Sequence, residues 1–224
     1  MKETWVDLHI HTTSSDGLFT PTQVVKKAKQ AGLRAISITD HDTTAGIAEA
    51  REAGDLYGVE VISGVELSAQ YKNSELHILG YCFQEDNKRL NSYLGKFRDK
   101  RDESARKIVE HLQKRNIEIN MDEVREEAGT ASIGRPHIAK KKKKKGYVEQ
   151  FQEAFQRYIG FNRPAYEAKY SISPEKAIRL ISDAGGLSFI AHPGKHVSDD
   201  VFLHLIKAGL DGIEIVHPCI RDKR

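Results

Sequence analysis

Six apolar, β-rich stretches of this chain each carry, or end in, a side chain that can bind a divalent metal ion. They are residues 5–11, 35–41, 61–66, 76–79, 187–192 and 213–217. In a barrel of alternating strands and helices, the carboxyl ends of the strands meet at one mouth, so side chains far apart in sequence converge there. The pattern therefore predicts a site for several metal ions.

The first stretch gives the clearest reason for this prediction. Because side chains alternate along a strand, Asp7, His9 and His11 share one face and the apolar residues between them share the other. Three ionisable groups on an inward face are costly to bury unpaired, and a bound cation removes that cost by taking them as ligands. The alternative is a solvent-facing edge strand with incidental histidines, which the repetition of the pattern disfavours.

Strand and helix alternate in the first 81 residues and again after residue 171, which predicts an α/β fold with parallel strand pairing. Thr20 followed by Pro21 marks the start of the first helix, and Gly32 follows its end. The predicted elements are helix 21–30, strand 34–39, helix 44–57, strands 60–67 and 75–81, helix 173–184, strand 187–191, helix 198–208 and strand 212–216.

Residues 85–170 interrupt this alternation. Charged residues dominate there, and apolar residues such as Ile108, Leu112 and Ile117 recur at helical spacing, so an all-helical insertion is predicted. The expected division is 1–84, 85–170 and 171–224, with the insertion as a lid over the mouth. Its six consecutive lysines, residues 140–145, predict a solvated segment, and contact with substrate phosphates is the alternative.

The composition of the chain sets broad limits on its partners. Among 224 residues, 35 are basic and 32 acidic, a formal charge of +3 that gives no sign of a long duplex nucleic acid as partner. The sequence has neither a secretory signal nor a long apolar stretch, so a cytoplasmic protein without a membrane partner is expected. Cys82 and Cys219 lack zinc-finger spacing and are predicted to be buried core thiols.

Four motifs resemble those of the PHP (polymerase and histidinol phosphatase) metal-dependent phosphoesterases, and the resemblance covers nearly the whole chain. They are Asp7-Leu8-His9-Ile10-His11 with Ser15-Asp16-Gly17, Ile38-Thr39-Asp40-His41-Asp42, Gly64-Val65-Glu66-Leu67 and Ala191-His192-Pro193-Gly194. The resemblance implies a distorted seven-stranded β/α barrel with an inserted helical cap. It also implies up to three divalent metal ions, with manganese expected first and iron or zinc as alternatives, because oxygen and imidazole ligands suit all three.

The motifs also imply a set of ligands. These are His9 and His11 for one ion, Asp16 and His41 for a second, and His77 and His192 for a third, with Glu66 shared. The implied catalytic group is a metal-bound water, with no side-chain nucleophile. Phosphate ester hydrolysis is therefore the reaction that the resemblance implies.

Three further residues belong to the same six stretches of sequence. Asp7 and Asp40 could accept hydrogen bonds from ligating imidazoles, or take a structural role at a strand end or turn. His217, in the last stretch, matches no ligand of the family and is predicted to be a satisfied histidine near the rim rather than a catalytic one.

The insertion supplies the candidate substrate contacts. Residues 132–139 are similar to the segment before the cap helix in one PHP subfamily, whose members act on nucleoside 3′,5′-bisphosphates or the 5′ end of short RNA. Arg135 and His137 are therefore candidates for holding the phosphate that is not cleaved, and Arg163 is a weaker one. A charged helix start on the cap surface is the alternative.

One departure from the family leaves alternatives open. Members of this type end with a strand carrying Gly-Ser-Asp-x-His, and nothing after Arg221 matches it, so the last barrel strand and two ligands are expected to be missing. A module that binds metal and nucleotide without hydrolysis is one alternative function. Histidinol-phosphate phosphatase is another, although it gives no reason for the helical insertion.

Overall fold

The computed structural model describes residues 5–72, 74–129, 131–168, 170–194 and 197–217. The chain divides into two compact units. The sheet unit comprises residues 1–94 and 171–224, and the helical unit comprises residues 95–170. The helical unit starts inside a long helix rather than at residue 85, where the change in sequence pattern begins.

Fourteen helices and strands, one of them extended by a π-helical turn, make up the described chain. In chain order they are β1 Trp5–Ile10, α1 Pro21–Gln30, β2 Leu33–Ile38, α2 Ile47–Tyr57, β3 Glu60–Tyr71, β4 Ser74–Tyr81, α3 Lys88–Gln113, α4 Met121–Ala128, α5 Arg135–Lys144, α6 Phe151–Ala154 with the π-helical turn Phe155–Ile159, α7 Pro174–Asp183, β5 Leu187–Ile190, α8 Asp199–Lys207 and β6 Gly212–Ile213. The predicted alternation in the first 81 residues is confirmed, and β6 is shorter than expected.

The six strands form one sheet in the order β1-β2-β3-β4-β5-β6. Strands β1, β2 and β3 pair in parallel, as do β5 and β6, but β4 is antiparallel to both of its neighbours. The prediction of parallel pairing throughout was therefore wrong at β4. Only two residues connect β3 to β4, and a parallel crossover needs a dozen or more.

The antiparallel direction of β4 changes which end of the strand carries His77. His77 lies near the start of β4 and pairs with Ser68, near the end of β3. Because β4 runs in the opposite direction, the start of this strand, rather than its carboxyl end, lies beside the carboxyl ends of the parallel strands. His77 thus lies beside the other predicted ligands although its strand runs in the opposite direction.

Helix α1 begins where the sequence places it. The Thr20 side chain accepts the backbone N–H of Gln23, the Gln23 side chain accepts the backbone N–H of Thr20, and Pro21 occupies the first helical position. The apolar face of α1 packs with α2 against the parallel strands, in a core that includes Val25, Ile36 and Ala50. This core fixes the strands whose ends carry the candidate ligands.

The helical unit has its own core. The predicted helical periodicity is confirmed, because Ile108, Leu112 and Ile117 are all buried in it together with residues of α4 and α5. No helix in the described part of the chain combines the length and apolar character needed to cross a bilayer.

The lysine run is helical and only partly solvated. Lys143, Lys144 and Lys145 are exposed, whereas Lys142 is fully buried, with its Nζ 3.3 Å from the centre of the Tyr158 ring. The prediction of a solvated segment was therefore wrong at Lys142. Helix α5 packs Ile138 and Ala139 into the core of this unit, and Lys142, three and four residues later, lies on the same buried face.

The prediction of a buried core thiol was also wrong for Cys82. Cys82 is exposed rather than buried, with φ 57° just beyond the end of β4, where its N–H donates to the carbonyl of Ser63. A turn follows the strand at this residue and turns the side chain away from the core. Cys219 lies outside the described residues. The same holds for the rest of the segment after His217, where the Gly-Ser-Asp-x-His motif was expected to be missing.

Candidate metal centre

Glu66 lies at the centre of the predicted ligands. Its side chain is fully buried, and five imidazole nitrogens surround its two oxygens. Oε1 is 2.8 Å from His77 Nδ1 and 3.0 Å from His192 Nε2, and Oε2 is 3.2 Å from His9 Nε2, 3.1 Å from His11 Nε2 and 3.2 Å from His41 Nδ1. The structure therefore brings these six predicted residues together.

Strand geometry places the first two histidines. His9 lies in β1 and His11 directly after it, and the alternation of side chains directs both toward Glu66, as predicted. Asp16 lies in the loop that follows, with Oδ1 3.7 Å from His11 Nδ1 and Oδ2 4.0 Å from His41 Nε2. Its side chain is about half exposed, so it stands at the outer edge of the cluster.

The segment after β2 positions His41 by continuing alongside β3. His41 bridges to Glu66 in parallel register, and the Asp42 N–H donates to the Glu66 carbonyl. The carboxylate of Asp42 accepts the backbone N–H of Ser68 at 2.8 Å and its hydroxyl at 2.6 Å. Asp42 is buried at φ 53°, and it holds this segment against β3; the sequence analysis assigned it no role.

The donor set fits divalent metal ions. Imidazole nitrogens lie 3.2 Å apart between His9 and His11 and 3.3 Å apart between His77 and His192. The single carboxylate of Glu66 cannot provide hydrogen bonds for all of these nitrogens. The buried Nδ1 atoms of His11 and His41 make no well-formed hydrogen bond among the described residues, although they lie 3.7 Å from Asp16 Oδ1 and 3.2 Å from Glu66 Oε2, respectively. Among the residues that the structure describes, four groups of three acidic or imidazole donors lie close enough to hold a cation, and Glu66 belongs to two of these groups. Cations would relieve this crowding of lone pairs.

The protonation of the site follows from this crowding. Burial alone would raise the pKa of Glu66, but hydrogen bonds from the imidazoles hold it well below its ordinary value, so the carboxylate stays ionised. Burial lowers the pKa of His41 to about 3, which leaves this imidazole neutral and able to bind a cation. For His9 burial acts in the same direction, but hydrogen bonds with Glu214 and Glu66 outweigh it and raise the pKa to about 9.

Asp7 and Asp40 accept hydrogen bonds from backbone N–H and hydroxyl groups. Asp40 is fully buried and accepts the N–H and hydroxyl of Thr12 at 2.7 and 2.6 Å, and the hydroxyl of Ser15 at 2.5 Å. Asp7 accepts the backbone N–H of His9 at 3.2 Å. These bonds favour the alternative turn role for Asp40, which anchors the loop that carries Asp16.

Glu214 also contacts the cluster, although it was not among the residues predicted from the sequence. Its Oε1 lies 2.8 Å from His9 Nδ1, and its Oε2 accepts the backbone N–H of His192. The His217 ring lies 5.0 Å from that of His9 and 5.1 Å from that of His192, so it borders the cluster. The signal for Glu214 in the sequence is the stretch 213–217, whose metal-binding pattern was assigned to His217.

The candidate substrate contacts all belong to the helical unit. Arg135 begins α5, with its guanidinium 5.9 Å from the centre of the Tyr166 ring. His137 is buried, and its Nδ1 accepts the backbone N–H of Gly134 at the start of the helix. Arg163 is exposed in the turn after the π-helical segment. Phosphate binding by these three residues stays a prediction.

Comparisons with known proteins agree with this geometry. Residues 7–171 match the PHP domain family model. The chain is 35% identical over 188 residues to a 5′-3′ exoribonuclease of Haemophilus influenzae, covering 84% of this chain and 68% of that protein. It is 32% identical to a 3′,5′-nucleoside bisphosphate phosphatase of Chromobacterium violaceum, covering 94% and 76%. It is also 32% identical to a phosphoribosyl 1,2-cyclic phosphate 1,2-diphosphodiesterase of Eggerthella lenta, covering 95% and 82%.

Solved structures give the same result. A Bifidobacterium adolescentis structure described as a metal-dependent phosphoesterase superposes with a TM-score of 0.86 at 32% identity, covering 93% of this chain and 76% of that one. An amidohydrolase structure from Chromobacterium violaceum, with bound sulfate and no metal, gives 0.83 at 31% identity, covering 93% and 75%.

Fold and site together define a metal-dependent hydrolase of phosphate esters. The chain belongs to the PHP domain family. The family resemblance seen in the sequence motifs is confirmed, and the relatives favour a hydrolase over a module that only binds.

Proposed function

We propose that this protein hydrolyses a phosphate ester of a nucleoside 3′,5′-bisphosphate, or of the 5′ end of a short oligonucleotide, with up to three divalent metal ions. The observation that carries the proposal is the buried Glu66 carboxylate with five imidazoles within 3.2 Å. The names of the exoribonuclease and bisphosphate phosphatase relatives support this choice of substrate.

The proposed ligand sets divide the cluster around Glu66. His9 and His11 hold one ion, Asp16 and His41 a second, and His77 and His192 a third, with manganese the expected metal. Bound divalent ions supply an ionised water at neutral pH and neutralise the oxygens of the phosphate. No serine, cysteine or lysine nucleophile is needed for this chemistry.

The chain's own residues arrange that chemistry. Glu66 stays ionised and provides the negative charge that several cations require in one small volume. Asp40 fixes the loop of Asp16, and Asp42 fixes the segment of His41. Arg135 and Arg163, with His137, are proposed to bind the phosphate that is not cleaved, because a guanidinium can bind two phosphate oxygens at once.

The activity is tested with purified protein stripped of metal and reloaded with Mn²⁺, Fe²⁺ or Zn²⁺. We expect release of phosphate from adenosine 3′,5′-bisphosphate, or of mononucleotide from a 5′-phosphorylated oligonucleotide, and less product from the same oligonucleotide with a 5′-hydroxyl. Histidinol phosphate and a phosphoribosyl 1,2-cyclic phosphate serve as competing substrates. Failure to cleave either nucleotide, in a preparation with verified ion content, refutes the proposed substrates.

A further inference from the structure

We infer that Glu214 is a positioning residue that fixes two metal ligands, His9 and His192, without itself binding a metal ion. The inference rests on the proposed metal-dependent function. It adds a residue that the family motifs do not include and that connects two ligands assigned to different ions.

Each oxygen of the Glu214 carboxylate contacts a different candidate ligand. Oε1 lies 2.8 Å from His9 Nδ1, and Oε2 accepts the backbone N–H of His192 at 2.5 Å. The backbone is fixed as well, because the Glu214 N–H donates to the Ile190 carbonyl at the end of β5. The side chain is only 12% exposed, so water competes little for either bond.

The bond to His9 selects which ring nitrogen faces the ions. When Nδ1 donates its proton to Glu214, the lone pair of the neutral ring is on Nε2. Nε2 is the atom that lies 3.2 Å from Glu66 Oε2 and 3.2 Å from His11 Nε2, inside the cluster. Glu214 therefore holds His9 in the tautomer and orientation that a metal ligand needs.

The bond to His192 stabilises an unusual backbone conformation. His192 has φ 28°, a region that residues with a side chain rarely adopt. A charged acceptor on its N–H offsets part of this strain. Because the strained backbone sets the direction of the His192 ring toward Glu66, the same carboxylate controls a second ligand.

A direct ligand role is the competing explanation. Glu214, His9 and His217 lie close enough together to hold a cation. The two roles differ in what a substitution removes. Loss of a ligand lowers the number of ions bound at saturation, whereas loss of a positioning residue lowers affinity at an unchanged number of sites.

The test compares Glu214→Gln and Glu214→Ala with wild type and with Glu52→Gln, which removes an exposed acid from α2 in the same unit. Manganese affinity is measured by titration with electron paramagnetic resonance, and bound ions are counted by elemental analysis at saturation. We expect affinity to fall about 10- to 100-fold in Glu214→Ala. Glu214→Gln should fall less, since its one amide oxygen can accept only one of the two hydrogens well. The number of ions should not change.

A second measurement needs no metal. Exchange of the His192 amide proton, followed by NMR in metal-free protein, should be faster in both Glu214 variants and unchanged in Glu52→Gln. Unchanged affinity together with unchanged exchange would overturn the inference, and so would the loss of one ion per chain at saturation. If wild type binds no metal, the proposed function fails, while the exchange data still decide whether Glu214 holds His192. Should the alanine variant unfold, the isosteric glutamine variant decides.

Discussion

At the scale of the residue, Glu66 combines two properties that are rarely found together. It is a fully buried carboxylate, and its pKa lies well below the ordinary value. Burial alone would raise this pKa, but hydrogen bonds with the surrounding imidazoles stabilise the ionised form and outweigh burial. A neutral side chain of the same shape would fill the space without supplying the charge. The metal load of the whole cluster should therefore depend on this one carboxylate.

We predict that Glu66→Gln loses at least one bound ion per chain and reduces phosphoesterase activity by about 100-fold or more, because charge stabilisation of the reaction is lost with the ions. Elemental analysis and phosphate release measure the two effects. The matched control is Glu60→Gln, at an exposed position of the same strand, which should keep full metal content. A Glu66→Gln protein with wild-type ion content would contradict the bridging role.

Lys142 is the second residue whose surroundings oppose its charge. Its Nζ is buried over the Tyr158 ring and has no hydrogen-bond partner among the described residues. Burial lowers its pKa from 10.5 to about 8. Between about pH 8 and 10.5 the unfolded chain therefore holds a proton that the folded chain has lost, so the free energy of unfolding should rise with pH across this window.

We predict that Lys142→Met stabilises the protein by roughly 1–3 kcal/mol at pH 7 and removes most of that rise, since the unbranched methionine fills the same space without a charge. Urea denaturation at pH 7 and pH 9.5 measures both effects. Lys143→Met, at the exposed neighbouring position, should change the free energy of unfolding by less than about 0.5 kcal/mol. Equal effects of the two variants would exclude a special role for burial at Lys142.

At the scale of the element, the approach of β3 to β2 determines where Glu66 lies. Gly64 sits two residues before Glu66, where a Cβ atom would collide with Ser37 Oγ and lie 2.7 Å from the Ile38 carbonyl oxygen. The parallel pairing of β2 and β3 thus needs glycine at this point. Any side chain would push β3 away from β2 and move Glu66 relative to His41.

We predict that Gly64→Ala destabilises the protein by about 1–3 kcal/mol, through overpacking, and also weakens manganese binding. The matched control is Gly95→Ala within α3, where no atom lies within 4 Å of an added Cβ atom. That substitution should stabilise the helix by about 0.5–1 kcal/mol and leave metal binding unchanged. Thermal unfolding and metal titration of both variants test the prediction, which fails if Gly64→Ala binds manganese as tightly as wild type.

The same elements show what sequence reasoning could and could not reach. Helix α1 was predicted from local signals alone, because Thr20 and Pro21 cap its start. Candidate ligands such as His9 and Glu66 could be found because each belongs to a strand with a recognisable motif. The antiparallel direction of β4 follows from its two-residue connection to β3, which is too short for a parallel crossover. The repeated strand–helix pattern around it led instead to the prediction of parallel pairing.

The role of Glu214 was harder to foresee for a different reason. Its function depends on contacts with residues 205 and 22 positions away in the chain, which no local pattern records. The burial of Lys142 likewise depends on how α5 packs against its neighbours. Residues whose roles come from tertiary contacts alone need the structure.

At the scale of the whole molecule, charge is divided unevenly between the two units. Of the 35 basic and 32 acidic residues, residues 95–170 hold nineteen and twelve, a net charge of +7 that leaves −4 for the sheet unit. The formal charge of +3 conceals this difference. The positive charge of the helical unit would attract anionic substrates, and the proposed phosphate-binding residues belong to this unit.

Arg135 is suited to test phosphate binding by the helical unit. Its guanidinium makes no ion pair with any described residue, and it lies in the unit that does not carry the candidate metal ligands. We predict that Arg135→Ala raises the KM for adenosine 3′,5′-bisphosphate about 10-fold or more, through loss of a phosphate contact, while ion content stays as in wild type. Arg106→Ala removes an exposed arginine from α3 in the same unit and should leave KM unchanged. Steady-state kinetics on a substrate with one phosphate should show a smaller effect of Arg135→Ala, since the proposed contact is to the phosphate that is not cleaved. An equal loss on both substrates, or a loss of bound ions, would instead assign Arg135 to the stability of the helical unit.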